Sequence, residues 1–175
     1  MMLGLVVGEV QGAGPVPGYP PPIRYTLLDG STFIDDCAIC GRPEILQPLR
    51  GTFDLVLQQN TPPYISYAVR NVDFRAAPGF FGPVQITGGG NYKRFEEFAA
   101  LQDMQLAVQV EDASTNRFAY FTNSTPVQPM PFPMIEVTLR QTNGTPFSTY
   151  QMHLLAAPVR EMWFSINKPM TITNA

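Results

Sequence analysis

Charge is scarce in this chain and scattered along it. Only 14% of the residues are Asp, Glu, Lys or Arg, against roughly a quarter in an average soluble domain. The 11 basic and 14 acidic side chains leave a net charge of -3, and no run of one sign occurs. A binder of nucleic acid needs a basic stripe to neutralise phosphates, so nucleic acid is excluded as a partner. Histidine occurs once and cysteine twice, which leaves no ordinary set of metal ligands, and neither a metal nor another cofactor is expected. No apolar run approaches the ~20 residues of a membrane-crossing helix, so no transmembrane segment is expected. Long helices are excluded too, because 18 prolines and 14 glycines punctuate the 175 residues.

What is present is a core and a rhythm. Hydrophobic residues make up 45% of the chain and aromatics 11%, enough to fill the interior of one domain. From Ile23 onward apolar residues alternate with polar ones: Phe53, Leu55 and Leu57; Ile65, Tyr67 and Val69; Met104, Leu106, Val108 and Val110; Ile135, Val137 and Leu139. A period of two marks strands with one buried face. Further strands are expected at Ile23 to Leu28, Asn71 to Arg75, Val84 to Thr87, Asn91 to Phe95, Phe118 to Thr122, Ser148 to Leu155 and Met162 to Ile166. Turn residues separate them at Asn60 to Pro63, Pro78 to Pro83, Gly88 to Asn91, Asp112 to Asn116 and Thr142 to Thr145. Asn143-Gly144 in particular suits a two-residue type I′ hairpin. Phe95 to Leu101, with Phe95, Phe98 and Leu101 three apart, is the one helical candidate.

Connections this short forbid parallel pairing. The expected fold is therefore all-β, an antiparallel meander forming a closed or nearly closed barrel, with a two-sheet sandwich as the alternative, since an open sheet would expose an apolar face and two edges. Residues 22–168 read as a single β domain and 169–175 as a C-terminal tail. Residues 1–21 read as a signal-peptide remnant or a proline-rich arm: an apolar start, small residues at Gly12 to Gly14, then Pro15 to Pro22, without the basic n-region of a complete signal. With few lysines and two close cysteines, this points to a secreted or cell-surface location.

Cys37-Ala38-Ile39-Cys40 is the most distinctive local motif. A redox pair needs a helix beginning at the first cysteine, and Gly41 and Pro43 would end one at once. Zinc would need carboxylates such as Asp35 or Asp36 to complete its ligands. A disulfide stapling an inter-strand loop is expected instead. Gly88-Gly89-Gly90 precedes a strand rather than a helix, so it is read as a place where the sheet bends and not as a phosphate loop. The paired acids Asp35-Asp36, Glu96-Glu97 and Glu111-Asp112 point to opposite faces of any strand and make no catalytic dyad by themselves. Asn123 and Asn143 each open an N-x-S/T triplet, read as incidental.

Binding residues are sought among exposed aromatics and their polar neighbours. Phe80 and Phe81 stand at a loop tip; Tyr92 and Tyr120 are candidate platforms, with Gln105, Gln109, Arg117 and Arg140 beside them. Trp163, flanked by Met162 and Phe164, reads as core, and the segment Pro126 to Pro133 as an extended edge. Two functions follow. The first is an exported, non-catalytic binding or structural β domain at the cell surface, with carbohydrate as the candidate ligand, a polysaccharide or another surface protein as partner, and self-association into a homo-oligomer left open. The alternative is a β-barrel enzyme or small-ligand carrier whose site lies in the barrel mouth around His153.

Overall fold

The computed structural model describes residues 20–37, 39–41, 43–79, 82–95 and 101–159. They form nine strands: β1 (Ile23–Leu27), β2 (Thr32–Asp36), β3 (Ile45–Thr61), β4 (Tyr64–Gly79), β5 (Gly82–Phe95), β6 (Leu101–Glu111), β7 (Asn116–Asn123), β8 (Ile135–Gln141) and β9 (Thr149–Pro158). Among the described residues there is no helix. From β3 to β9 each strand pairs antiparallel with the next, as the short connections require. The ring is closed by β1 and β2, which lie end to end between β3 and β9 and act as one broken stave. The result is a hydrogen-bonded ring of 8 staves, not evenly disposed round one axis, so that both a barrel and a sandwich describe it.

The break in the first stave was not legible in the sequence, where Asp29 to Gln47 carries no long alternation. Between Thr26 and Thr32 the chain advances six positions while their partners on β3, Thr52 and Pro48, are four apart. The surplus bulges out at Gly30, whose φ is +103°. Ser31 takes over the interrupted ladder: its hydroxyl donates to the Leu155 carbonyl and accepts from the Leu155 N–H, both at 3.0 Å.

Alternation sends Tyr25, Phe33, Phe53, Phe74, Ile86 and Phe121 inward, all essentially without solvent contact. Outward positions such as Gln85, Thr87, Lys93, Gln105 and Gln109 are exposed and polar. This arrangement, apolar inside and polar outside, is the reverse of an outer-membrane barrel. No helix among the described residues is long and apolar enough to cross a membrane.

Two expected pairs of short strands are each one long strand. Ile65 to Val69 and Asn71 to Arg75 are one strand, β4, and Val84 to Thr87 and Asn91 to Phe95 are one strand, β5, with Gly88-Gly89-Gly90 inside it. The glycines mark a bend and not a turn. A Cβ on Gly88 or Gly90 would collide with the carbonyls of Ala107 and Gln105 on β6, and one on Gly89 would stand 2.7 Å from the Val69 carbonyl on β4. On β4 the bend is matched by Asn71, at φ 52°, within a register shift between Val69 and Val72. On β3 it is matched by Gly51, at φ +144°, whose Cβ would strike the Asp73 carbonyl, and by a shift between Thr52 and Asp54. Bulges of this kind kink and coil a strand.

A polar clasp holds the bend. Asp54, 6% exposed, accepts from Arg24 Nε at 2.9 Å and from Asn71 Nδ2 at 2.7 Å. The Arg24 hydrogen bond holds the Asp54 carboxyl below its ordinary range; partial burial opposes this and Asn71 adds to it.

Other connections follow expectation or amend it. Asn60 to Pro63 and Asp112 to Asn116 are hairpin turns, and Asp112 accepts the Ser114 and Thr115 N–H groups at 2.7 and 2.8 Å. Burial opposes ionisation of Asp112, but these bonds outweigh it and keep the carboxyl low. Asn143-Gly144 is no two-residue hairpin: the loop runs from 142 to 148 and closes later, on the Thr145–Ser148 bridge, because Asn143 is engaged by β7. Of the expected helix Phe95 to Leu101, the two ends belong to strands, Phe95 to β5 and Leu101 to β6; 96–100 and the expected strand Met162 to Ile166, with Trp163, lie outside the described residues.

Two outcomes are expected of the bend. Gly90→Ala meets backbone rather than a movable side chain, so it destabilises by about 3 kcal/mol or more, at the upper end of overpacking. Gly144→Ala, whose nearest neighbours are 3.1 to 3.3 Å away and include side chains, costs far less, and chemical denaturation separates the two. The clasp is a native-state carboxylate with a depressed pKa, so its contribution is complete above the unfolded value of about 4 and is lost as pH falls through the lower native value. Asp54→Ala removes about 1 to 3 kcal/mol at neutral pH, and its deficit against the parent shrinks in denaturation curves taken below about pH 4.

Candidate functional site

The outer wall of β5, β6 and β7 carries an exposed aromatic pair. In β7, Ala119 and Phe121 point inward, which leaves Phe118 and Tyr120 outside. Their rings meet edge to face at 4.9 Å and each residue is about half exposed, at 50% and 49%. Water is kept on one side of large aromatic surface, an arrangement that marks a contact site more often than a packing one. Across the ladder Gln109 lies opposite Phe118, Ala107 opposite Tyr120 and Gln105 opposite Thr122. One strand further, Thr87, Gly89 and Asn91 continue the same three rows. The middle row, Gly89 and Ala107, has almost no side chain, so a shallow trough leads to the flank of Tyr120 between two rows of amides and hydroxyls.

The aromatic strand is held along its backbone edge by the loop after β8. Thr142 N–H donates to the Tyr120 carbonyl at 2.8 Å, and Asn143 accepts from Tyr120 N–H at 2.9 Å while donating to the Phe118 carbonyl at 3.0 Å. Asn123 is occupied in the same way, donating to the Gln102 and Thr125 carbonyls and accepting from Met104 N–H. Both triplet asparagines thus serve as backbone partners.

The expected binding residues divide. Tyr120 stands on this wall, and Arg140 joins it as the partner of Thr122 on β8. Arg117 lies at the start of β7 and lines a different cleft, at the disulfide end. Tyr92 offers no platform, because even positions near the end of β5 face inward and it is fully buried. Phe80 and Phe81 lie outside the described residues. Asp103 faces outward beside Gln105, accepting its amide at 3.2 Å. Phe118 was not among the expected binding residues, although its spacing of two from Tyr120 in an expected strand puts both rings on one face.

His153 does not reach the barrel mouth. Odd positions of β9 face outward, so it sits on the outer wall with Nδ1 3.2 Å from Thr138 Oγ1 and Nε2 3.9 Å from Glu136 Oε1. The interior is aromatic and closely packed. Tyr25 stacks on Phe53 at 5.2 Å, and the Tyr92 hydroxyl donates to Gln102, whose amide donates to the Glu136 carbonyl at 2.6 Å. Burial raises the phenol pKa of both Tyr25 and Tyr92. Pro126 to Pro133 begins as the expected edge, with Val127 in an antiparallel bridge to Leu101 at the start of β6, and then covers this end of the ring. Phe132 stacks on Tyr67 at 6.0 Å with the Arg94 guanidinium 3.8 Å above its ring, and Gln102 N–H donates to the Pro126 carbonyl at 2.6 Å.

At the opposite end Cys37 and Cys40 form a disulfide, with Cα atoms 5.4 Å apart. Both sulfurs are consumed, which removes the zinc reading. Cys40 borders a cleft of about 160 Å³ shared with Asp35, Arg117, Ser148 and Tyr150. Comparison of the chain with protein-family models, curated proteins and solved structures finds no match.

Reduction and alkylation should add two labels to the intact mass, none of them before reductant is supplied. So short a loop restricts the unfolded chain only modestly, and replacing both cysteines by serine should cost about 2 kcal/mol in chemical denaturation.

Proposed function

We propose that this protein is an exported, non-catalytic binding domain of the cell surface and that its ligand is a carbohydrate polymer. The observation that carries this reading is the half-exposed Phe118–Tyr120 pair at the end of a trough walled by amides and hydroxyls. Aromatic faces stack on the C–H surface of sugar rings, and Gln, Asn and Thr side chains both donate and accept toward hydroxyls. A neutral polyol therefore suits the wall better than a phosphorylated or strongly charged partner. The disulfide supports an oxidising compartment. The rival, a catalytic or carrier site in the mouth around His153, draws no support from a histidine on the outer wall.

Retention on insoluble polysaccharides and cell-wall preparations tests the proposal. Phe118→Ala and Tyr120→Ala should each weaken retention by about 1 to 4 kcal/mol, the range for an aromatic anchor, with Tm close to the parent because both rings are outside the core. His153→Gln should bind normally. Turnover of a hydrolase substrate that disappears in His153→Gln would reverse the assignment.

A further inference from the structure

The wall does not end at the aromatic pair. Gln105 faces Thr122, Thr122 faces Arg140, and Arg140 faces Gln151, one residue from each of β6, β7, β8 and β9. Beyond Arg140 the row enters a cleft of about 300 Å³ lined by Asp36, Glu44, Arg140, Thr149 and Gln151. Thr149 lies opposite Asp36 and Gln151 opposite Ile34, so the cleft spans β8, β9 and β2 on the same outer face. Among the described residues Arg140 has no ion-pair partner: the cleft holds its guanidinium apart from both carboxylates. Donors on one side and acceptors on the other thus face a common space, and ligand hydroxyls can bridge them, accepting from Arg140 and donating to Asp36 or Glu44.

We infer that the platform and this cleft are two parts of one extended site, joined at Arg140, and that the ligand is a neutral linear oligosaccharide stretch lying across the strands rather than a single terminal sugar. The inference rests on the carbohydrate reading above and adds the length and charge of what is bound. Strands are about 4.8 Å apart, so the row from Gln105 to Gln151 spans about 14 Å. A chain following it meets a fresh polar side chain at nearly every sugar. Charge selects within that class: one guanidinium against two carboxylates repels an acidic polymer and accepts a neutral one.

The test is calorimetric titration of the intact protein with one to six units of the neutral sugar whose polymer is retained, and with a uronic-acid oligomer of matching length. Affinity should rise about tenfold between two and four units and then level, a gain worth one or two hydrogen bonds. Gln151→Ala should abolish that gain while leaving the two-unit ligand unaffected, and Phe118→Ala should weaken every length. The acidic oligomer should bind more weakly than the neutral one. Equal affinity for two and six units, or a Gln151→Ala variant indistinguishable from the parent at every length, would overturn the extended site and leave the aromatic platform standing. Absence of retention on every neutral polymer would overturn both.

Discussion

The structure depends on bending three long strands at one level. β3, β4 and β5 run for 17, 16 and 14 residues, and a ring can close only if they coil together. Gly51, Asn71 and Gly88 to Gly90 lie along that level, and the glycine contacts leave no room for a Cβ because neighbouring backbones occupy its place. The bend and the closeness of the strands are one feature. Asp54, between Arg24 of β1 and Asn71 of β4, ties the bend to the stave that closes the ring.

Closure has consequences for where ligand chemistry can reside. Alternation sends one face of every stave inward, and the inward positions near the mouth, Tyr25, Tyr67 and Tyr92, fill it with rings beneath Phe132. Two of the polar groups buried there, the Tyr92 hydroxyl and the Gln102 amide, are spent on each other and on the Glu136 carbonyl, while the Tyr25 hydroxyl is enclosed without a hydrogen-bond partner among the described residues. Side chains whose hydrogen-bonding capacity is open to solvent are those on the outside of the ring. Of these, the β6 to β9 wall combines half-exposed aromatic rings with amides and a guanidinium, that of Arg140, with no ion-pair partner among the described residues. The same wall is braced by asparagines that the triplet pattern alone would have assigned to glycosylation.

Alternation from Phe53 to Leu57, Met104 to Val110 and Ile135 to Leu139 was sufficient to establish strands, their inward faces and an antiparallel meander, because period-two burial is a local property of the backbone. The short Cys37–Cys40 spacing with Gly41 and Pro43 likewise pointed to a disulfide, because those neighbours exclude a redox helix. Tertiary structure decided the rest. Gly88 to Gly90 reads identically as a turn or a bend until β4 and β6 press on both sides of it. The broken first stave exists only because β3 and β9 both accept it. Tyr92 and Tyr120 look alike in sequence, yet one is buried and the other half exposed, since strand parity is set by register against neighbours that no local pattern names. His153 is placed outside by the same parity, and the meeting of Gln105, Thr122, Arg140 and Gln151 in one row is made by hydrogen bonds between strands far apart in the chain.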